Sequence, residues 1–262
     1  MFEFFSMGML PLFIVIAVVI PLIIYAVQAQ RHREALVRGW AAARGCSYLP
    51  TNQVLVPYLR GEPFVGGRSA KVLEFIDGVT PSGRTFCSFN YNYEVSSGSD
   101  GSSHTVNRAI VMVRLPAVLP TLSLSYERFG DKVSKFFGGQ DIELESDEFN
   151  QMFRVKSPVE AFAYAVLHPR MMEWLMGPAS AAVPFVIDGQ DLICWHVGLP
   201  DYDTLDRRLA YMCEFIDQIP PNVWEKYGAP PQLCWWSSPQ LPSSVTSGRS
   251  TWRLKRRPEI AP

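Results

Sequence analysis

Thr85–Leu115 reads TFCSFNYNYEVSSGSDGSSHTVNRAIVMVRL, and its reading decides the fold class. In Thr85–Val95 the residues Phe89, Tyr91, Tyr93 and Val95 recur at every second position, which is the side-chain period of a strand. Ser96–Ser103 then offers only Ser, Gly and Asp, with nothing to pack, and predicts a hairpin tip. From Thr105 to Leu115 the alternation returns, with Ala109, Val111 and Val113 on one face. Upstream, Lys71–Asp77 places Val72, Glu74 and Ile76 on one face and Leu73 and Phe75 on the other. Gly78–Gly83, which contains Pro81-Ser82-Gly83, turns the chain between the two runs. Three antiparallel neighbours, a meander, follow from these runs.

Downstream, Leu115-Pro116 and Leu119-Pro120 are read as closing the meander, because proline cannot donate to a ladder. A short strand is expected at Leu122–Tyr126, and an exposed stretch over Glu127–Gly139. Asp141-Ile142-Glu143-Leu144-Glu145 alternates strictly, predicting a strand with an acidic and an apolar face; Gln151–Val155 reads as another short strand. Ser157-Pro158-Val159-Glu160 has the form of a capping box, with Ser157 at the N-cap, Pro158 at N1 and Glu160 at N3. It would open a helix to about Leu167, with a second over Arg170–Met176. Asp188-Gly189, between apolar Val183–Ile187 and Leu192–Val197, predicts a tight hairpin. Asp201 or Asp203 caps a helix whose Leu205, Leu209, Met212 and Ile216 share one side, and Asn222–Tyr227 adds a last turn. The expected class is α+β: an N-terminal transmembrane helix, then an antiparallel sheet of meander and hairpins packed with three or four helices.

Met7–Val27 contains no charged residue. At ~1.5 Å per residue the run reaches roughly 30 Å, the thickness of a bilayer core. Pro11 and Pro21 are tolerated inside a membrane, and Tyr25 stands where an interfacial aromatic belongs. A cleaved signal peptide would open with positive charge, whereas Glu3 is the only charged side chain before the run. A buried core helix would carry one apolar face, not apolar residues all round. After the run come Arg31, Arg33, Arg38 and Arg44 with Glu34 alone between them. The positive-inside rule therefore puts the N-terminus outside the cell membrane and the following domain in the cytoplasm. The expected organisation is a tail over 1–6, a transmembrane helix over 7–27 and a juxtamembrane helix over 28–45 closing at Gly45. A soluble α+β domain follows over 46–228, and a disordered Pro/Ser-rich basic tail over 229–262.

Composition narrows function chiefly by exclusion. The 24 Lys and Arg are balanced by 25 Asp and Glu, without the basic excess of a general nucleic-acid binder, so no nucleic acid partner is expected. The five cysteines form no CxxC pair and read as free thiols. Asp141, Glu143, Glu145, Asp147 and Glu148 are the densest carboxylates, but neighbours along a flat strand diverge, so they read as a solvated face and not a metal site. His32, His104, His168 and His196 do not pair at helical spacing, and no G-x-S-x-G elbow is present. Gly138-Gly139-Gln140 repeats a tripeptide of peptide release factors without their basic context and reads as a turn. No glycine-rich loop joins a strand to a helix in the phosphate-binding pattern. No catalytic, cofactor-binding or metal residue and no small-molecule ligand is assigned. The residues with a functional expectation are basic but for one tryptophan: Arg31, Arg33 and Arg38 after the helix, and Trp252, Arg253, Lys255, Arg256 and Arg257 in the tail. All are placed to touch anionic headgroups; the plainer readings are a topology signal and a solubilising end.

A series of short motifs extends this picture. Arg38-Gly39-Trp40 follows the anchor, then come Pro63-Phe64, Phe89-Asn90-Tyr91, and Leu115-Pro116 with Leu119-Pro120. Glu145-Ser146-Asp147-Glu148-Phe149-Asn150 leads to Phe153-Arg154-Val155, and Pro169-Arg170-Met171-Met172-Glu173 and Ile219-Pro220 complete the order. The series spans roughly residues 30–225 and resembles uncharacterised, membrane-anchored bacterial proteins of actinobacterial type with a C-terminal domain of unknown function. The resemblance implies an anchored domain and transfers no catalytic residue. The expected function is a membrane-tethered interaction module at the inner leaflet, with the lipid bilayer, anionic headgroups or a membrane protein as partner. The alternative is a membrane-anchored, hydrolase-like enzyme without a recognisable motif.

Overall fold

The computed structural model describes residues 3–64, 68–97, 102–126, 141–177, 184–231 and 236, and their side chains from Ala17 on except those of Ser97 and Ser102. The chain divides into two compact units, residues 1–48 and 49–262.

In the first unit, α1 runs unbroken over Glu3–Ala43. Gly45 ends it as the sequence predicts. At φ +65° its N–H reaches the Ala42 carbonyl at 3.2 Å, while the Cys46 N–H reaches that of Ala41 at 2.9 Å. This paired closure satisfies carbonyls that a helix end leaves orphaned. Among the described residues no helix is long and apolar enough to cross a membrane. Of the expected span 7–27, residues 7–16 lie outside those whose side chains are described.

The second unit is built on a seven-stranded sheet, ordered β1-β2-β3-β4-β6-β5 with β7 also paired to β4. The strands are β1 (Ser47–Thr51), β2 (Arg68–Val79), β3 (Thr85–Ser97), β4 (Ser102–Tyr126), β5 (Asp141–Ile142), β6 (Phe153–Lys156) and β7 (Phe185–Val197). The helices are α2 (Asp147–Met152), α3 (Glu160–Val166), α4 (Pro169–Met176), α5 (Tyr202–Gln218) and α6 (Pro221–Tyr227), with a 3-10 turn at Gln53–Tyr58. These are five helices in this unit among the described residues, where three or four were expected.

The meander is present as read: β3 and β4 pair without interruption from Phe86↔Val113 to Ser97↔Ser102. Alternation sorts the side chains into two layers. Phe89, Tyr91, Tyr93, Ile110 and Met112 join Phe64, Trp195 and Trp236 in an aromatic core on one face. On the other face α5 buries Leu205, Leu209, Met212, Phe215 and Ile216, and Phe215 meets Phe185 of β7 with ring centroids 4.6 Å apart. Each such side chain removed from water contributes about 1.5–3 kcal/mol. Trp174 of α4 stacks on Tyr211 of α5 at 4.7 Å, and Phe162 of α3 meets Tyr227 of α6 at 5.3 Å.

Several expectations are corrected. The prolines do not close the meander, because β4 continues through Pro116 and Pro120 for 25 residues. Its pairing with β7 shifts register between Arg114 and Leu119 and again between Leu119 and Leu122. The prolines therefore fall where the ladder is irregular and no donor is required. Opposite them Asp188-Gly189 is no hairpin. Strand β7 is continuous, and Gly189, at φ +64°, pairs with Leu119 between the two shifts. On the other edge of β4, β3 ends opposite Val113 and β6 begins opposite Ser123. Within that interval Val118 exchanges backbone hydrogen bonds with Ala229 at 3.0 and 2.9 Å.

The acidic strand shrinks to Asp141–Ile142. Asn150 bonds the Leu144 N–H at 3.0 Å and its carbonyl at 2.7 Å. Ser146 accepts the Phe149 N–H at 3.2 Å and caps α2, so these bonds replace ladder pairing. Ser157 is not a cap for α3. Its hydroxyl donates to the Thr121 carbonyl at 2.7 Å, and Val159 holds the N-cap position. The cap lies one helix later, where His168 Nδ1 accepts the Met171 N–H at 3.3 Å ahead of Pro169. Asp201, not Asp203, caps α5. Packing also runs past the expected boundary at 228, since Trp236 is 3% exposed within the aromatic core. Of the hairpin tip expected over 96–103, Ser96 pairs with Ser103 and Ser97 with Ser102 as strand ends; residues 98–101, the exposed stretch 127–139 and the tail beyond residue 236 lie outside the described residues.

Candidate functional site

Polar side chains converge where the first turns of α5 cover the sheet. On β3, Asn90 and Asn92 stand two residues apart and share a face. The register places Asn107 of β4 opposite Asn92, and Ala109 opposite both Asn90 and His196 of β7. Asn107 Oδ1 accepts from Asn90 Nδ2 at 3.1 Å and from Asn92 Nδ2 at 2.9 Å. From α5, Arg208 Nη1 lies 2.6 Å from His196 Nδ1. A guanidinium can only donate, so Nδ1 accepts and the imidazole is neutral, with its proton on Nε2. Burial, and then Arg208, hold the His196 pKa below its usual value; burial likewise lowers that of Arg208. Tyr202 donates to Glu74 Oε2 at 3.1 Å, Glu74 sitting at φ +51° in a β2 bulge. Asn90 is 3% exposed, and its Oδ1 has no hydrogen-bond partner among the described residues.

This cluster is not arranged for nucleophilic attack. Cys194 precedes His196 by two residues on the same face of β7, but burial pushes its thiol up to about 12. The His196 lone pair that would take a proton is already held by Arg208. A reactive thiol needs the opposite surroundings, a lowered pKa beside a free base.

The opposite face carries two more polar groups. Arg114 pairs with Asp191 at 3.0 Å and bonds Gln190 at 2.9 Å. Gln190 donates to the Leu115 carbonyl at 3.0 Å, and the Trp236 indole N–H to Asp191 at 3.4 Å. A buried ion pair so fully bonded reads as structural. On the same face, the turn Gly61–Phe64 closes with the Phe64 N–H on the Gly61 carbonyl at 2.7 Å. Arg108 Nη1 donates to the Pro63 carbonyl and its guanidinium lies over the Tyr93 ring at 5.4 Å, while Tyr91 Oη donates to the Phe64 carbonyl at 3.4 Å. Within that turn Glu62 is 3% exposed. Neither its Oε2 nor Arg108 Nε has a hydrogen-bond partner among the described residues. Burial raises Glu62 to about 7, outweighing the opposing pull of Arg108 and Lys156.

Of the residues singled out by sequence for headgroup contact, Arg31, Arg33 and Arg38 are described. Arg31 and Arg38 are exposed on α1 and Arg33 is half-buried there; Arg38 pairs with Glu34 at 3.0 Å and lies 5.6 Å from the Tyr48 ring centre. Trp252, Arg253, Lys255, Arg256 and Arg257 lie outside the described residues. The carboxylates of 141–148 do not converge, and among the described residues no group of three or more His, Cys, Asp or Glu could hold a metal ion. Asp141 instead pairs with Lys156 at 3.5 Å and Arg154 at 3.6 Å. Sequence reasoning missed Asn90, Asn92, Asn107, Arg208 and Glu62. Alternation assigns both β3 asparagines to the face opposite Phe89 and Tyr91, but only the later helix α5 makes that face internal.

The architecture defines an α+β protein with a long antiparallel sheet, one face of which is roofed by helices. No protein-family model matches the chain, and no curated protein does. Among solved structures it is similar to the mycobacterial trehalose monomycolate transport factor A, TtfA, with a TM-score of 0.53 and 13% identity over 75% of this chain and 96% of that one. At that identity the likeness is one of fold.

Proposed function

We propose that this chain is a membrane-tethered accessory protein without catalysis of its own, whose sheet domain binds a partner protein at the inner leaflet. In this reading residues 7–27 of α1 span the bilayer, the N-terminus lies outside, and Arg31, Arg33 and Arg38 meet anionic headgroups on the cytoplasmic side. The observation that carries it is the helix itself. It is continuous from Glu3 to Ala43, is free of charge from Met7 to Val27, and turns basic from Arg31 onward. The mutually paired groups beneath α5 support a binding role over a chemical one. The fold shared with a transport factor is compatible with service beside a membrane machine.

Topology is tested with Lys226→Cys, an exposed position on α6, in cells expressing the full chain. A membrane-impermeant maleimide should label this cysteine only after lysis; labelling in intact cells would place the domain outside and end the inner-leaflet reading. Cross-linking from native membranes should then recover a membrane protein, and recovery of lipid alone would remove the partner.

A further inference from the structure

We propose that the Gly61–Phe64 turn is a proton-operated latch, shut over the aromatic face of the sheet while Glu62 carries its proton and released when Glu62 ionises. Two bonds pin the turn to the sheet: Arg108 Nη1 to the Pro63 carbonyl and Tyr91 Oη to the Phe64 carbonyl. Phe64 is thereby stacked on Phe89 at 6.3 Å and set edge-on to Tyr91 at 5.3 Å. Directly before the pinned residues comes Glu62, 3% exposed, with Oε2 unpartnered among the described residues. A protonated carboxyl tolerates that site, whereas an ionised one without hydrogen bonds does not.

The groups that act on Glu62 are Arg108 on β4 and Lys156 on β6. The phenols Tyr91 and Tyr93 of β3 lie beside Arg108. Lys156 is drawn toward Asp141 at 3.5 Å, and Arg108 has already spent Nη1 on Pro63. If the new carboxylate captures Arg108, it takes the donor that holds Pro63; if it escapes to water, it carries the turn outward. Both routes break the same pin. The midpoint of about 7 places the switch near neutrality.

Hydrogen–deuterium exchange of the full chain in lipid, corrected for the intrinsic pH dependence, tests the latch over pH 4–8. Peptides covering residues 59–64 should lose protection by up to about tenfold per unit as pH rises from the ordinary 4.5 to the folded value of about 7, as linkage to one proton requires, and level off above it, and Glu62→Gln should hold its protection throughout. Constant protection in the wild type, or equal loss in Glu62→Gln, would overturn the proposal. Should Glu62→Gln not fold, ¹³C detection of the wild-type Glu62 carboxyl decides. A midpoint near 7, shared with changes in the Phe64 and Tyr91 ring signals, supports the latch. A midpoint near the ordinary 4.5, or rings that do not respond, refutes it.

Discussion

At 2.6 Å, His196 Nδ1 and Arg208 Nη1 have room for one proton between them. Burial, and then the contact between two cations that protonating the imidazole would create, hold the His196 pKa below the ordinary 6.5. The sign for stability follows from linkage. Below 6.5 the unfolded chain binds a proton that the folded chain refuses, so this contribution is complete above 6.5 and is lost as pH falls toward the depressed folded value. Glu62 works in the opposite sense. Its folded pKa of about 7 exceeds 4.5, so its contribution is complete below 4.5 and is lost as pH rises through 7. The two residues can therefore be separated by substitution. Urea unfolding of His196→Gln should show a shallower loss of stability than wild type between pH 6.5 and 5. An unchanged slope would mean that His196 accepts its proton freely and that the Arg208 contact does not govern it.

At the scale of elements, β4 and β7 bend together, and Gly189 marks the bend. Its φ of +64° is costly for any residue with a Cβ, so Gly189→Ala should lower stability by about 1–2 kcal/mol. Gly39 provides the contrast. It lies inside α1 with nothing within 4 Å of a built Cβ, so Gly39→Ala should not destabilise and should gain about 0.5–1 kcal/mol. Thermal unfolding of the two variants side by side would show it, and equal losses would mean that φ is not what Gly189 supplies. The same region shows what was legible in the sequence. Phe89, Tyr91 and Tyr93 announced β3 because alternation is local, and Gly45 announced the end of α1 because a cap is local. Pro116, Pro120 and Asp188-Gly189 were misread because each was judged alone. Facing each other across β4 and β7, they form one bulged region that needs no turn and no missing donor. Ser157 misled for a similar reason: its hydroxyl found Thr121, 36 residues away, before it could cap a helix. The polar site was the least legible part. Asn90, Asn92 and Asn107 look like a solvent-facing row until α5 brings Arg208 down beside His196.

For the whole molecule, the decisive quantity is whether the uncharged part of α1 outweighs what a membrane exacts. Thirteen Leu, Ile, Phe and Val residues lie between Met7 and Val27; at about −0.3 to −0.6 kcal/mol each they favour insertion by about 4–8 kcal/mol. One arginine at the centre costs about 2.5–3.5 kcal/mol and leaves a favourable balance. Two bring it close to zero. Val19→Arg should therefore stay with the membrane pellet through alkaline carbonate extraction, while Val15→Arg combined with Val19→Arg should move most of the chain to the supernatant. The domain beyond Tyr48 should be untouched by either change, with the same near-ultraviolet circular dichroism, since neither residue belongs to it. Release of the wild type by carbonate would show that α1 is held by protein contacts and not by lipid. The inner-leaflet address would then have to rest on the partner alone.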